Sequence, residues 1–187
     1  MLRRVILLVY AALSRLAYVL WVGYALRRED RTGFYARRLG AEAGFQRFRR
    51  IASTIMNHDA LAFGLLCVFT RETLVLPVGR PVTIAVGIVL AIVGFGTKLW
   101  AARTLGGRAY YWYNFFVPQS ATGPANAGPY RFVSNPMYTV GYLPTYGIAL
   151  ILASGPGLVA AAFAQISIMV FYLVVEKPHF ERLYGPS

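Results

Sequence analysis

The chain has 187 residues, of which 57% are hydrophobic and only 14% charged, and its formal net charge is +12. A soluble globular domain carries about 25% charged residues, so this composition indicates lipid as the solvent and excludes an ordinary soluble domain. A basic surplus can serve nucleic acid or an anionic membrane surface, and the long apolar runs decide for the membrane, so no nucleic-acid partner is expected. At this length a single domain, residues 1–187, is predicted.

The first apolar run covers residues 5–26 and follows Arg3 and Arg4. It is long, it lacks a small-residue cleavage site, and Arg15 interrupts it. We therefore expect a retained membrane helix and not a signal peptide, since a spanning helix needs about 20 mostly apolar residues.

A basic segment, residues 27–50, comes next and holds eight arginines. Four aromatic residues lie among them: Phe34, Tyr35, Phe45 and Phe48. Basic and aromatic residues together suit a helix that lies on anionic lipid head groups, and arginine forks suit a lipid phosphate. A loop that only sets membrane topology explains the segment equally well.

The second apolar run, residues 51–70, contains His58 and Asp59 about two turns from its start. Ionisable groups at such depth in a membrane are costly and indicate function. In the alternative, the helix begins near Asp59, but the eleven residues before Arg71 are too few to span comfortably.

Cys67 is the only cysteine, so no intrachain disulfide can form, and we expect a buried thiol. With two distant histidines, no metal site is predicted.

The third run, residues 82–102, carries Gly94 and Gly96 late in its helix. Glycines there let a ligand or another backbone approach closely, and helix packing through small residues is the commoner use.

The fourth run, residues 137–153, follows Asn135 and Pro136. Asparagine favours the helix N-cap and proline the first helical position, so the pair predicts a helix start whose N–H groups can receive an anion or carboxylate. The alternative is that the pair merely starts a helix.

The fifth run, residues 158–175, is joined to the fourth by SGPG at 154–157, which predicts a tight turn and hence a helical hairpin. Glu176 is the first charge after this run. An acid at the C-terminal end of a helix opposes the helix dipole, so we expect Glu176 to have a partner. We expect His179, further into the tail, to be exposed.

The sequence therefore predicts an all-α polytopic membrane protein with about five transmembrane helices. With five spans, the basic segment, residues 103–136 and the tail all lie on one side, which the arginine and lysine bias makes cytoplasmic. Arg3 and Arg4 favour the alternative of four spans, with the first run lying in the interface.

The order of these elements resembles the membrane methyltransferase superfamily that contains phosphatidylethanolamine N-methyltransferases and isoprenylcysteine carboxyl methyltransferases. The resemblance covers about residues 90–185. GFG at 94–96 is similar to the Gly-x-Gly element of the phospholipid enzymes, and EKP at 176–178 to their Glu-Glu-Pro element. GPYRFVSNPMY at 128–138 is similar to the loop and helix start of the prenylcysteine branch. Ser134 and Asn135 stand where the prenylcysteine branch has Arg-His, and Lys177 replaces the second glutamate. Asn-Pro-Met-Tyr favours the phospholipid branch.

The resemblance implies methyl transfer from S-adenosylmethionine to a membrane-embedded acceptor, at a cytoplasmic cofactor site within residues 81–187, while residues 1–80 supply the N-terminal helices. Seven residues are then candidates for binding the cofactor: Gly94, Gly96, Tyr130, Asn135, Pro136, Tyr138 and Glu176. The favoured acceptor is the amine of phosphatidylethanolamine or of its methylated derivatives, with Arg131 and Tyr113 as candidate substrate-binding residues. An ammonium must lose a proton before it attacks, so His58 and Asp59 are candidate catalytic bases.

Three alternatives remain open at this point. The acceptor could be a prenylcysteine carboxylate, anchored by Arg131, or a small thiol. The chain could be a sterol reductase, which uses a nicotinamide cofactor. It could also be a non-catalytic membrane subunit, since the second glutamate and the histidine are missing. The aromatic run 110–116, which includes Tyr113, could stack on adenine or enclose an ammonium, and it could equally be an interfacial belt.

Overall fold

The computed structural model describes residues 2–118 and 126–185. In this part of the chain there are seven α-helices: α1 Leu2–Thr32, α2 Phe34–Leu39, α3 Ala41–Phe69, α4 Arg80–Leu105, α5 Leu143–Ile151, α6 Gly155–Phe171 and α7 Lys177–Tyr184. Short 3₁₀ turns at Ala109–Tyr111, Tyr113–Phe115, Gly128–Arg131 and Val140–Tyr142 lie between α4 and α5, and the π-helical turn Tyr172–Glu176 joins α6 to α7. The predicted all-α class is confirmed.

Among the described residues, four helices are long and apolar enough to cross a membrane: Leu2–Thr32, Ala41–Phe69, Arg80–Leu105 and Gly155–Tyr184, the last including the π turn. The segment Val140–Ile151 is a shorter apolar helix. The nine residues of α5 extend about 14 Å, roughly half of a hydrocarbon core about 30 Å thick. The predicted multi-pass architecture is therefore confirmed, but its fourth span, at 137–153, contains only this short helix.

The predicted start of that helix was wrong. We expected it to begin at Asn135 and Pro136, whereas α5 begins at Leu143. The Asn135 carbonyl accepts the backbone N–H groups of Tyr138 and Thr139, which makes a turn. At Thr139 the backbone turns to φ −100° and ψ −92°, outside the helical region, and so the chain must restart its helix further on.

The predicted hairpin is present, with α5 and α6 packed against each other. Its turn lies at residues 152–154 and so begins two positions earlier than SGPG, at 154–157, suggested. Ser154 is the N-cap of α6, because its Oγ accepts the backbone N–H of Gly157 at 2.9 Å. Pro156 then occupies the first turn of α6, where a missing N–H costs nothing. SGPG is thus the beginning of a helix.

Close backbone contact joins α5 to α4. A Cβ on Gly87 would lie 2.7 Å from the carbonyl oxygen of Gly147, and a Cβ on Gly147 would lie 2.5 Å from that of Gly87. Neither distance is possible for a real side chain, so both positions require glycine. Small residues that let two helix backbones touch are the usual way in which membrane helices pack.

The main core lies where α1, α3 and α6 meet an aromatic segment, residues 109–116. Its fully buried members include Val22, Leu26, Phe45 and Phe48, whose exposed fraction is 0%. Around them lie Trp112, Phe115 and Phe116 of the aromatic segment. The buried thiol predicted at Cys67 is confirmed. Large apolar side chains elsewhere on α1 and α4 are exposed, as expected for helix faces that contact lipid.

Candidate functional site

Glu176 is the centre of the candidate site. Its side chain is buried, and its Oε1 accepts hydrogen bonds from Trp112 Nε1 and from the Tyr138 hydroxyl, each at 2.5 Å. The prediction that Glu176 has a partner is thus confirmed, with two partners found. The other carboxylate oxygen, Oε2, accepts no hydrogen bond from any residue that the structure describes. A buried carboxylate with one engaged oxygen and one available oxygen is suited to bind a hydrogen-bond donor or a cation.

The π turn sets the direction of Glu176. Pro178 has no N–H, so the carbonyl of Val174, four residues earlier, loses its helical donor. Arg27 of α1 replaces that donor, with Nη2 at 3.0 Å from the Val174 oxygen. The N–H of Lys177 bonds the carbonyl of Tyr172 five residues earlier, which is the π pattern. Single π turns within helices occur frequently at functional sites.

His179 anchors the same helix one turn beyond Glu176. It is 2% exposed, which contradicts the expectation of an exposed tail residue. Its Nδ1 lies 2.8 Å from Asp30 Oδ1, and Arg182 bonds the second oxygen of Asp30. Its ring stacks on Phe115 with centroids 3.7 Å apart. The tail is therefore held by α1 and by the aromatic segment, which also supplies Trp112 to Glu176.

Two tyrosines from the turns before α5 lie near the carboxylate. Burial, and then the negative charge of Glu176, raise the pKa of both Tyr130 and Tyr138 above the ordinary value for tyrosine. Both hydroxyls consequently stay protonated at physiological pH and act as donors. Gly128 adopts φ +56°, and a Cβ there would collide with Thr104 near the end of α4. This close approach brings the 3₁₀ turn Gly128–Arg131, and hence Tyr130, against α4.

Gly94 and Gly96 differ in what surrounds them. A Cβ on Gly94 would overlap the ring of Pro144 and lie 2.9 Å from the carbonyl oxygen of Val140. A Cβ on Gly96 would have no neighbouring atom within 4 Å. Packing against α5 is therefore enough to explain Gly94, while Gly96 borders open space. That Gly94 and Gly96 bind the cofactor stays a prediction.

A matched pair of alanine variants tests by their stability whether helix packing explains each glycine. Gly94→Ala is expected to destabilise the protein by about 1–3 kcal/mol, because overpacking forces the Pro144 ring to move. Gly96→Ala should stabilise the protein by about 0.5–1 kcal/mol, because alanine loses less conformational freedom than glycine in a helix interior. Unfolding in detergent measures both. Gly94→Ala of unchanged stability would show that packing does not explain this glycine.

Asp59 lies in a buried polar chain between helices. It is 5% exposed, and its Oδ2 lies 2.6 Å from Arg15 Nη2 of α1. Arg15 Nη1 in turn donates to the Tyr142 hydroxyl at 3.1 Å, before α5. The helix α3 is continuous through this region, which excludes the alternative of a helix start near Asp59. A cavity of about 220 Å³ lies beside Arg15 and Asp59.

His58 faces away from the buried polar contacts that link Asp59, Arg15 and Tyr142. Its side chain is exposed, with Nε2 2.7 Å from the Tyr10 hydroxyl and Nδ1 3.0 Å from Ser14 Oγ. Neighbouring residues of an α-helix point about 100° apart, which is why His58 and Asp59 reach different surroundings. The two predicted bases are not brought together, and a catalytic role for either stays a prediction.

The two predicted substrate-binding residues also differ. Arg131 is exposed and makes no hydrogen bond or ion pair with any described residue. The Tyr113 hydroxyl donates to Glu42 Oε2 at 3.1 Å, and Arg108 pairs with the same oxygen at 3.2 Å. Arg131 is thus available to a ligand, while Tyr113 belongs to a polar network between α3 and the aromatic segment.

The predicted cofactor residues lie partly together. Tyr138 and Glu176 are in contact, and Tyr130 is close enough for the charge of Glu176 to act on it. Asn135 and Pro136 precede Tyr138 in the same turn, where Asn135 Oδ1 accepts the N–H of Tyr138 at 3.3 Å. The sequence analysis considered Trp112 only as a member of the aromatic run 110–116, and it expected His179 to be exposed. The spacing of one helical turn between Glu176 and His179 was an available signal for the latter.

Comparison with known proteins identifies the same region. A family profile described as Phospholipid methyltransferase matches residues 82–187. The chain is 32% identical over 148 residues to a phosphatidylethanolamine N-methyltransferase of Clavispora lusitaniae, covering 74% of this chain and 17% of the relative. It is 38% identical over 105 residues to the protein of the same name from Scheffersomyces stipitis, covering 56% and 12%. No solved structure matches.

The curated relatives are much longer proteins. The chain spans about one sixth of the length of the Clavispora lusitaniae protein and about one eighth of that from Scheffersomyces stipitis. A third relative, the phosphatidylethanolamine N-methyltransferase of Pyrenophora tritici-repentis, is 35% identical over 74% of this chain and 16% of its own length. The resemblance inferred from the motifs is confirmed at the level of the family.

Proposed function

Because the chain belongs to the phospholipid methyltransferase family, we propose that it transfers a methyl group from S-adenosylmethionine to the amine of a membrane phospholipid, phosphatidylethanolamine or one of its methylated derivatives. The observation that carries this proposal is the buried Glu176 carboxylate with its Trp112 and Tyr138 donors, since it offers an acceptor for an organic cation. The names of the relatives supply the acceptor class.

The donor site is built around Glu176. S-adenosylmethionine supplies an activated methyl group on a sulfonium, together with an ammonium, a carboxylate and ribose hydroxyls. The free Oε2 of Glu176 suits the ammonium or the hydroxyls. The protonated hydroxyl of Tyr130 can donate to the carboxylate of the methyl donor, while that of Tyr138 is donated to Glu176. The indole face of Trp112 favours a nearby cation. Gly96 leaves open space beside α4, while Asn135 and Pro136 position Tyr138.

The chain must also present a neutral amine, because the amine lone pair is the nucleophile. An apolar surrounding favours the neutral form of an amine. Asp59 and His58 remain the candidate proton acceptors, and the ion pair of Asp59 with Arg15 makes Asp59 a weaker base than an isolated buried carboxylate. Arg131 is proposed to hold the phosphate of the acceptor, which its unpaired guanidinium suits. Tyr113 is proposed to contact the acceptor head group.

The proposed orientation places the cofactor site and the C-terminus in the cytoplasm. The arginine bias supports it, and a charged, water-soluble donor requires a site that opens to water. The basic segment then lies on the same side and contacts anionic head groups.

Methyl transfer by purified protein tests the proposal. The protein is placed in phosphatidylcholine vesicles with phosphatidylethanolamine and S-adenosylmethionine labelled on the methyl group, and the lipids are separated. We expect label in monomethylated or further methylated phosphatidylethanolamine. A parallel sample contains a prenylcysteine instead. Label in the prenylcysteine ester but in no aminophospholipid would contradict the acceptor assignment.

A further inference from the structure

A second groove lies between α1 and the α6–π turn segment. It encloses about 550 Å³. One end is formed by Arg27, Arg28 and Arg31 of the basic segment. The remainder is mostly apolar, with Val19 and Leu20 on one wall and Val170 on the other. A groove that is cationic at one end and apolar along its length has the shape and polarity of a phospholipid site.

The cationic end is not neutralised by acidic residues. None of the described residues that line the groove carries a carboxylate. The two nearest acids on α1 are engaged elsewhere. Glu29 is buried and accepts the backbone N–H groups of Tyr35 and Ala36, at 2.6 and 3.1 Å. Asp30 is bonded to His179 and Arg182. No carboxylate of the groove lining therefore competes with an anion for these three guanidinium groups.

Contacts within the protein already orient two of these arginines. Arg27 donates to the carbonyl of Val174, and the guanidinium of Arg28 lies 3.5 Å from the centre of the Phe34 ring. Arg31 is exposed, with no hydrogen bond or ion pair to the described chain. Orientation before binding reduces the entropy lost when a ligand is held.

We propose that this groove binds an anionic phospholipid, with its phosphate on Arg28 and Arg31 and an acyl chain along Leu20 and Val170. The occupant differs from the methyl acceptor. An aminophospholipid carries an ammonium, which three guanidinium groups would repel and which no carboxylate of the groove would balance. Residues Phe171 and Val175 also separate the groove from Glu176.

The aromatic contacts support that separation. Phe171 lines the groove and also meets Trp112 edge-on, with centroids 5.6 Å apart. Trp112 on the far side donates to Glu176. The groove and the carboxylate thus share a wall and not a cavity. The lipid site does not depend on the proposed methyl transfer, and each can fail without the other.

Binding of a fluorescent phosphatidylglycerol to the delipidated, full-length protein in neutral detergent tests the proposal, with fluorescent phosphatidylcholine of the same chains as the reference. The test variant is Arg28→Gln with Arg31→Gln. The matched control is Arg47→Gln with Arg50→Gln, which removes the same charge from exposed positions of the basic segment outside the groove. A single variant, Leu20→Gln, alters the apolar wall without changing charge.

We expect phosphatidylglycerol to bind at least about tenfold more tightly than phosphatidylcholine, as one charge-assisted contact allows. The Arg28 and Arg31 variant should lose that preference, Leu20→Gln should weaken both lipids, and the control should match the wild type. Equal losses in the two arginine variants would show only general attraction to charge and overturn the proposal. Equal affinity of the wild type for both lipids would overturn it as well.

Discussion

Replacement of Glu176 by glutamine is expected to weaken S-adenosylmethionine binding by about 1.5–3 kcal/mol, the contribution of a hydrogen bond to a charged group. Glutamine keeps the size of the side chain and an acceptor oxygen for Trp112 and Tyr138. It removes the negative charge that would hold the donor ammonium or ribose. The loss should therefore appear in binding, with little change in the folded structure.

Titration calorimetry of the purified variant measures this loss. Glu181→Gln is the matched control, because Glu181 follows Glu176 in the same apolar-to-polar helix end, is half-exposed, and pairs with Lys177 at 3.6 Å. It should bind the donor as the wild type does. An unchanged affinity in a folded Glu176→Gln protein would show that this carboxylate does not bind the donor.

Replacement of Asp59 by alanine is expected to cost about 3–5 kcal/mol of stability, because it leaves the buried guanidinium of Arg15 without its counter-charge. The double variant Arg15→Met with Asp59→Leu replaces the pair by apolar side chains of similar volume. It should recover most of the lost stability, since a buried ion pair often contributes little beyond an apolar substitute. Unfolding in detergent measures both.

The same variants test the catalytic prediction for Asp59. If Asp59 accepts the proton of the acceptor amine, the double variant should be stable but slow near neutral pH. Part of the rate should return at high pH, where the amine deprotonates unaided. Full activity of the double variant at every pH would assign Asp59 a structural role only. His58→Ala, which breaks only contacts with Tyr10 and Ser14, is the comparison.

Local sequence signals predicted the helices, the hairpin and the presence of a partner for Glu176. Apolar runs are long-range features of composition, and the first charge after such a run must lie at a membrane boundary. The prediction that a helix starts at Asn135 was wrong, because capping preferences are weak compared with tertiary packing. Pro144 has to fit against Gly94 of α4, and the chain turns at Thr139 before its helix begins.

The contact of His179 with Asp30 could not be predicted, because the two residues are 149 positions apart in the sequence. The same holds for Trp112, which reaches Glu176 across 64 residues. The π turn had a local cause in Pro178. Its effect, however, depended on Arg27 of another helix to satisfy the Val174 carbonyl, and no local pattern shows that contact. Contacts between distant segments thus complete the site.

The location of the methyl donor can be measured directly by photochemical crosslinking of labelled S-adenosylmethionine to the wild-type protein, followed by digestion and peptide mapping. Binding around Glu176 predicts saturable label on peptides that contain Trp112, Tyr130 and Tyr138, or Glu176, and unlabelled S-adenosylhomocysteine should compete for it. Saturable label confined to peptides that contain none of these residues, or no saturable label at all, would contradict a donor site at Glu176.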